Sequence, residues 1–403
     1  MLQVATKRDA SHIRVFTPRD TLRSFISGTG ARFQVATGSL FGLSAIREGN
    51  QQVQKKATGS WLRSSVQIFA AILGTATAAL ADSRSPALSP TNIFSPDSTP
   101  ARSIFRLSRF GLEVEGAIFV VVFSLLAYVV VKFRQRQGDD DEEPAQVYGS
   151  NQMELAWTVL PVLIVVVLFL STAQVIHRVQ DAKRPPDAIE VTAVGHQFWW
   201  EYRYAQYGFV AANELHVPVS DAAHPTPTFI ALLSSDVDHS FWVPRLAGKT
   251  DLIPNHPNSM WIDPQETGLF LGQCAQYCGA QHAKMLLRVY VQSRADFDSW
   301  VHNQQQPAVS DPSVAAGRAM FQAKLCFICH TVRGTPAVGQ VGPDLTHLMS
   351  RDTIGSGAVP NTPENLRRWI RDPGTFKPGS LMPAQDLTDD QLNQIAAYLE
   401  TLR

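Results

Sequence analysis

Two long apolar runs constrain this chain more than any other feature. Gly116 to Phe133 is about eighteen residues with one charge near its end, and Leu155 to Ile176 is about twenty-two with none. Inside a bilayer the backbone must satisfy its polar groups within its own segment, so such runs predict two membrane-spanning helices, at about 112–133 and 155–176. Two buried core helices are the competing reading, and the lengths weigh against it. Pro161 is tolerable, because neighbouring helices or water take up the freed carbonyl. Lys132, Arg134 and Arg136 close the first run and place the connecting loop in the cytoplasm. His177, Arg178, Lys183 and Arg184 follow the second and weaken that bias. The acidic run Asp139 to Glu143 reads as a solvated loop.

An upstream segment settles the orientation. Residues 55–81 have a basic start (Lys55, Lys56, Arg63), an apolar centre from Val66 to Leu73, and Ala79-Leu80-Ala81 ahead of Asp82. That is the layout of a secretory signal peptide. A third membrane helix is the alternative, for which the apolar centre is short. Residues 1–54 are an atypical extension ahead of such a leader, read as a mis-assigned start at an upstream codon. The first sixty residues carry nine basic and three acidic side chains, whereas 188–305 carries six and eleven. A basic leader ahead of an acidic domain fits export. Overall charge is balanced, which gives no footing for nucleic acid. After cleavage the hairpin, within 82–184, leaves everything beyond residue 177 outside a bacterial cell membrane.

After Pro185-Pro186 the pattern turns to alternation. Ile189–Tyr204, Glu214–Val219, Thr228–Leu233, Gly268–Leu271 and Met285–Val291 read as strands of an all-β sandwich or barrel spanning 185–295. Residues 296–312 read as linker, with NQQQPAVSDP as its most linker-like stretch. From 313 to 403 the reading is helical. Ser313–Phe321 is one short helix, and Thr388 with Gln391 makes a capping box ahead of Leu392, Ile395, Ala396, Leu399 and Leu402.

The four cysteines fall in two tight pairs, too few for a disulfide scaffold. Cys274, Cys278, His282 and Met285 put two thiols, an imidazole and a thioether within twelve residues. That soft donor set favours copper. Zinc takes Cys and His but seldom a thioether. His239 is the candidate second imidazole. Two thiolates bridging two coppers, each completed by one His and one weaker ligand, suit electron relay. A Cys274–Cys278 disulfide is the alternative, leaving His282 and Met285 as ordinary loop residues.

Cys326-Phe-Ile-Cys329-His330 is the c-type haem attachment pattern, with His330 as one axial ligand. Met382, on a proline-bounded loop, is the expected sixth ligand. Met349 and Met320 compete but occupy positions better suited to packing. A zinc-binding or redox CxxC is the other reading of the pair.

On these motifs, with Glu154-Leu-Ala-Trp157-Thr-Val-Leu-Pro161 in the hairpin, residues 112–291 resemble subunit II of haem–copper oxidases. Residues 313–403 resemble the class I cytochrome c domain fused to it in caa-type oxidases. The resemblance implies a multidomain membrane protein: a two-helix transmembrane hairpin, an all-β cupredoxin domain with a binuclear CuA centre, and an all-α cytochrome c domain. It assigns His239, Cys274, Cys278, His282 and Met285 as copper ligands, with Gln276 binding through its carbonyl. The family carries glutamate where Gln276 stands, and that carboxylate helps hold a magnesium ion shared with subunit I. Glu154 matches a residue at the mouth of a proton channel in the partner. The aromatics Phe198, Trp199 and Trp200 occupy the place where relatives take electrons from soluble cytochrome c, the first usually being tryptophan.

The implied function is subunit II of a terminal oxidase. Electrons would pass from a cytochrome c or quinol-oxidising complex to covalent haem c, then to CuA, then to the oxygen-reducing site of subunit I, with subunit III as a further partner. A CuA subunit of a nitric or nitrous oxide reductase is the alternative, and a free-standing electron-transfer module is a third.

Overall fold

The computed structural model describes residues 92–134, 146, 148–180, 184, 188–221, 225–309 and 311–403. All of these belong to one compact unit, Pro86–Arg403, distinct from Met1–Ser85. The extension, the signal peptide and the Asp139–Glu143 run lie outside the described residues.

Two helices open the described chain, α1 (Thr99–Lys132) and α2 (Asn151–Gln180), and they pack against each other. Both exceed the expected spans. At 1.5 Å per residue, 34 residues reach about 50 Å, well past the roughly 30 Å of a hydrocarbon core. Hydropathy marks where lipid begins, whereas the helix continues through Arg102, Arg106 and Arg109 into the polar region. The apolar side chains of both spans are exposed, as lipid-facing residues require.

The β domain holds both outer helix ends. The N-cap residue of α1, Ser98, makes no side-chain cap. Instead the Asp263 carboxylate accepts from Thr99 N at 2.6 Å and from Ser98 Oγ at 2.7 Å. That places a negative charge at the positive end of the helix dipole. At the far end of the hairpin, Trp261 Nε1 donates to the Val179 carbonyl at 2.7 Å.

Ten strands follow: β1 (Ile189–His196), β2 (Trp199–Tyr204), β3 (Phe209–Ala212), β4 (Glu214–Pro218), β5 (Thr228–Ser234), β6 (His239–Trp242), β7 (Thr250–Leu252), β8 (Asn258–Ile262), β9 (Gly268–Cys274) and β10 (Leu286–Gln292). They form two five-stranded sheets, ordered β3-β2-β1-β5-β8 and β4-β10-β9-β6-β7. Trp200, Tyr202, Ile230, Leu232, Phe241 and Leu287 fill the space between them, all fully buried. The single strand expected over 189–204 is a hairpin, because the chain reverses at Gln197-Phe198 and pairs His196 with Trp199. Strands β3, β6 and β7, of three or four residues, are too short to declare themselves by alternation, and β8 (NSMWI) carries no clear alternation. The expected linker is helical for most of its length: α3 (Arg294–Gln305) is capped by Ser293 and buries Phe297 and Val301 on the β domain.

The C-terminal domain is built from α4 (Ala315–Ala323), a two-residue-strand hairpin β11/β12 (Thr353–Ile354, Val359–Pro360), α5 (Pro363–Arg371) and α6 (Asp389–Leu399). The capping box read at Thr388 and Gln391 is present. Helices α4 and α6 cross at close range over Gly317, where a Cβ would overlap the Gln394 carbonyl oxygen. Phe321 meets Tyr398 edge-on beside that crossing, with ring centroids 5.7 Å apart. Gly317→Val should therefore force the helices apart and destabilise this domain by about 1–3 kcal/mol. Thermal melts followed at the haem absorbance should show the loss while the β-domain transition stays in place.

Candidate metal centre and haem pocket

The donor cluster of the β domain follows from strand register. Antiparallel pairing sets Cys274, the last residue of β9, opposite Phe241, so β6 carries His239 to the same end. Cys274 N donates to Met285 O at 2.9 Å, closing the 274–285 loop before β10 begins. Gly279, at φ +128°, allows that loop to turn beneath Gln197 and Phe198.

Within the loop, the Cys274 and Cys278 sulfurs lie 3.9 Å apart. A disulfide has about 2.05 Å, so the pair is unbonded. His239 Nδ1 lies 3.9 Å from Cys274 Sγ, and His282 Nδ1 lies 3.7 Å from Cys278 Sγ. Met285 Sδ is 3.9 Å from Cys278 Sγ, and the Gln276 carbonyl is 3.2 Å from Cys274 Sγ. All six residues assigned from the resemblance thus converge. His239, Cys274, Cys278 and Met285 are buried, His282 partly so.

The chemistry of this set fits a soft cation. Burial, with the Cys274 sulfur adding to it, pushes the Cys278 thiol up to about 12. Burial also opposes ionisation of Cys274, but His239 and the Ser240 and Gln276 backbone together outweigh it and lower that thiol. Cys274 therefore ionises more readily than Cys278, and holding both as thiolates requires positive charge between them.

Two supporting residues were not read from the sequence. Asp236 Oδ1 lies 2.8 Å from His239 Nε2, which turns Nδ1 toward the sulfurs, as outer carboxylates do for metal-binding imidazoles. Gly195 leaves room for the ring, since a Cβ there would fall 2.7 Å from His239 Cδ2. The spacing Asp236-x-x-His239 was a legible signal for the first; only the fold reveals the second.

A cavity of about 420 Å³ in the C-terminal domain is lined by Cys326, Cys329, His330 and Met382 and by mostly apolar side chains. Met349 and Met320 do not line it and instead pack on the domain core. His330 Nδ1 donates to the Pro343 carbonyl at 2.8 Å, leaving the Nε2 lone pair for a metal. Burial lowers the basicity of His330 and keeps it neutral. Gly342 abuts the ring, where a Cβ would lie 2.6 Å from Cε1. An apolar slot with two thiols, a neutral imidazole and a thioether fits haem with covalent attachment.

The β domain supplies one wall of this cavity through Gln197, Phe198, Trp199 and Asn213. The expected electron-accepting aromatics therefore divide in role. Phe198 is 8% exposed and faces the cavity, and Trp199 stacks on His196 at 4.2 Å. Trp200 is wholly buried, packing edge-on to His239 and Phe241. Glu154 lies exposed in the first turn of α2 and belongs to neither cluster.

Three family descriptions match the chain: "Cytochrome C oxidase subunit II, transmembrane domain" over residues 90–175, the periplasmic domain of the same subunit over 222–292, and "Cytochrome c" over 314–403. Cytochrome c oxidase subunit 2 of Alkalihalophilus pseudofirmus is 34% identical over 315 residues, covering 76% of this chain and 90% of the relative. The subunit of the same name from Bacillus sp. strain PS3 is also 34% identical, over 67% of this chain and 80% of its own. The crystal structure of the periplasmic domain of subunit II from Bradyrhizobium japonicum is 30% identical, covering 30% of this chain and 96% of that one, with a TM-score of 0.28. Hairpin, cupredoxin-like β domain and cytochrome c domain together define an electron-transfer subunit of a haem–copper oxidase. The chain belongs to the cytochrome c oxidase subunit II family, with a C-terminal cytochrome c domain. That membership favours the oxidase over the nitrogen-oxide reductases.

Where the domains meet, Glu214 is 3% exposed and accepts from Asp352 N at 3.0 Å and Thr353 N at 3.1 Å. Burial, opposed by Arg351 and reinforced by Asp352, pushes its carboxyl up to about 7. A carboxyl raised from 4.5 takes up a proton on folding, so its stabilisation is complete below about 4.5 and is lost as pH rises through 7. Denaturant titrations of the wild type should lose about 3 kcal/mol across that window. Glu214→Gln should flatten the dependence and match or exceed the wild type above pH 7.

Proposed function

We propose that this chain relays electrons within a terminal oxidase, from an external donor through its own haem to a binuclear copper centre and on to the oxygen-reducing site of subunit I. Cys326 and Cys329 hold the haem covalently, with His330 and Met382 on its iron. His239, Cys274, Cys278, His282, Met285 and the Gln276 carbonyl hold the copper pair. When bound, these groups supply reversible one-electron chemistry in rigid cages, with a potential raised by His/Met ligation at the haem. A shared magnesium ion would lack the family's carboxylate here, since Gln276 offers only an amide. Two helices anchor the chain in a bacterial cell membrane, with Lys132 and Arg134 inside and both soluble domains on the extracytoplasmic face. Subunits I and III are the membrane partners, and a cytochrome c or a quinol-oxidising complex is the donor.

One observation carries this reading. The Gln197-Phe198 turn lines the haem cavity on one side, and on the other Gln197 Nε2 donates to the Cys278 carbonyl at 2.6 Å. The same turn reaches the first imidazole, because Gln197 N donates to Asp236 Oδ2 at 2.6 Å and Asp236 holds His239. A single backbone turn thus touches the wall of one cage and the supports of the other.

Replacing Cys274 or Cys278 with Ser should abolish the mixed-valence copper signal in electron paramagnetic resonance while the haem band persists. An unchanged copper signal would overturn the ligand assignment. Met382→Ala should retain covalently bound haem at a lower potential in redox titration, and an unchanged potential would mean a different sixth ligand. Oxygen uptake by the co-purified complex tests the assignment to a terminal oxidase.

A further inference from the structure

Lys377 sits on the loop between α5 and α6, is 2% exposed and has no carboxylate partner among the described residues. Its Nζ donates to Phe198 O at 2.8 Å, to Lys284 O at 2.9 Å and to Gly355 O at 2.9 Å. Three carbonyls match the three N–H bonds of an ammonium. Two of them belong to the β domain and one to the cytochrome domain, so the full set exists only when the domains are together. Burial pushes the Lys377 amine down to about 7, so a cation there depends on these acceptors.

The surrounding bonds converge on the same loop. Gln281 Nε2 donates to Pro378 O at 2.6 Å, and Lys284 Nζ donates to Phe376 O at 2.7 Å. Leu286 N donates to Ser356 O at 3.1 Å, and Ser356 Oγ returns a bond to Leu286 O at 2.9 Å. Gly357, at φ +81°, seats the tip of the β11/β12 hairpin on Leu286. The β-domain residues in these bonds, 281, 284 and 286, interleave with His282 and Met285. The cytochrome domain is therefore bonded to the metal-binding loop itself.

We infer that Lys377 is a positioning residue that holds the cytochrome domain in a standing dock on the copper loop, so that the two centres exchange electrons at one fixed separation without a domain search. This rests on the relay reading above and deepens it. A tethered carrier that swings between donor and copper would need a wet, weakly bonded contact. Here the contact contains a buried lysine amine on three carbonyls and a reciprocal pair of bonds between Leu286 and Ser356.

The test uses the full-length chain in its purified oxidase complex. In the wild type, haem-to-copper transfer after photoreduction should be independent of solvent viscosity. The amides of Leu286, Asp352 and Thr353, whose acceptors lie across the junction, should be protected from hydrogen exchange. Lys377→Met should leave the haem band, haem potential and mixed-valence copper signal unchanged. It should raise exchange at those amides about tenfold or more, slow transfer about tenfold, and make the rate fall with viscosity. Wild-type transfer that slows with viscosity, or wild-type junction amides that exchange freely, overturns the inference. So does a Lys377→Met protein with wild-type exchange and rate. If that variant loses its cofactors, the wild-type measurements decide. A missing copper signal in the wild type would sink the relay reading instead, and the exchange data would still report on the dock.

Discussion

The pairing of β9 with β6 on one side and β10 on the other is the constraint from which the soluble half is organised. Cys274 ends β9 opposite Phe241, and its N–H is taken by Met285 O, the last residue before β10. A shift of one residue in either pairing would turn the Cys274 side chain to the opposite face and break the cluster. With the register set, both ends of the 274–285 loop are fastened and His239 is carried alongside. The donors are thus placed by backbone hydrogen bonds of a buried sheet, the stiffest part of the domain. A cage built this way changes little when charge passes, as a relay requires.

The same sheets fix the relay relative to the membrane. Asp263 follows β8 and holds the N-terminus of α1, and Trp261, within β8, holds the C-terminal turn of α2. Each contact satisfies a backbone group that a helix end leaves open. Both are made by the domain that carries the copper loop, so the loop's height above the bilayer is set by folding and not by a flexible tether. The length of α1 beyond its apolar run has the same purpose: its polar turns bridge from lipid to the β domain.

Much of this was legible in the residues, and the boundary of legibility has a physical cause. Both donor clusters could be read because soft side chains at fixed spacing are rare by chance and local in sequence. His239 required a guess at strand adjacency, which β6–β9 pairing supports. Met382 was separable from Met349 and Met320 only by loop context, and of the three it is the one that lines the cavity. Gly195 and Gly342 could not be read, because their role is the space they leave to an imidazole distant in sequence or folded back over them. Helix α3 was hidden by its composition. Its end, Asn303-Gln304-Gln305, runs into the linker-like NQQQPAVSDP stretch, but Phe297 and Val301 suffice to fold it onto the β domain. Lys377 was invisible for a related reason. A lone lysine in a Pro-Gly loop has no local signature, and its three acceptors are main-chain atoms, which carry no sequence at all.

The dock also explains how the aromatic turn departs from the family pattern without loss of the relay. Relatives usually place tryptophan where Phe198 stands, on a surface that meets a soluble carrier. In this chain Phe198 is covered, a part of the wall of the haem cavity with its ring against Gly279 and its carbonyl on Lys377. In that setting the residue serves packing and the position of its backbone, and an exposed indole would have no surface to meet. Gln197 then becomes the more constrained neighbour, since its side chain joins the turn to Cys278 and its N–H joins it to Asp236. Fusion thus moves the requirement from a surface able to capture a diffusing partner to an interior able to hold a permanent one. Buried main-chain hydrogen bonds and a lysine amine held on three carbonyls suit the second task and would be useless for the first.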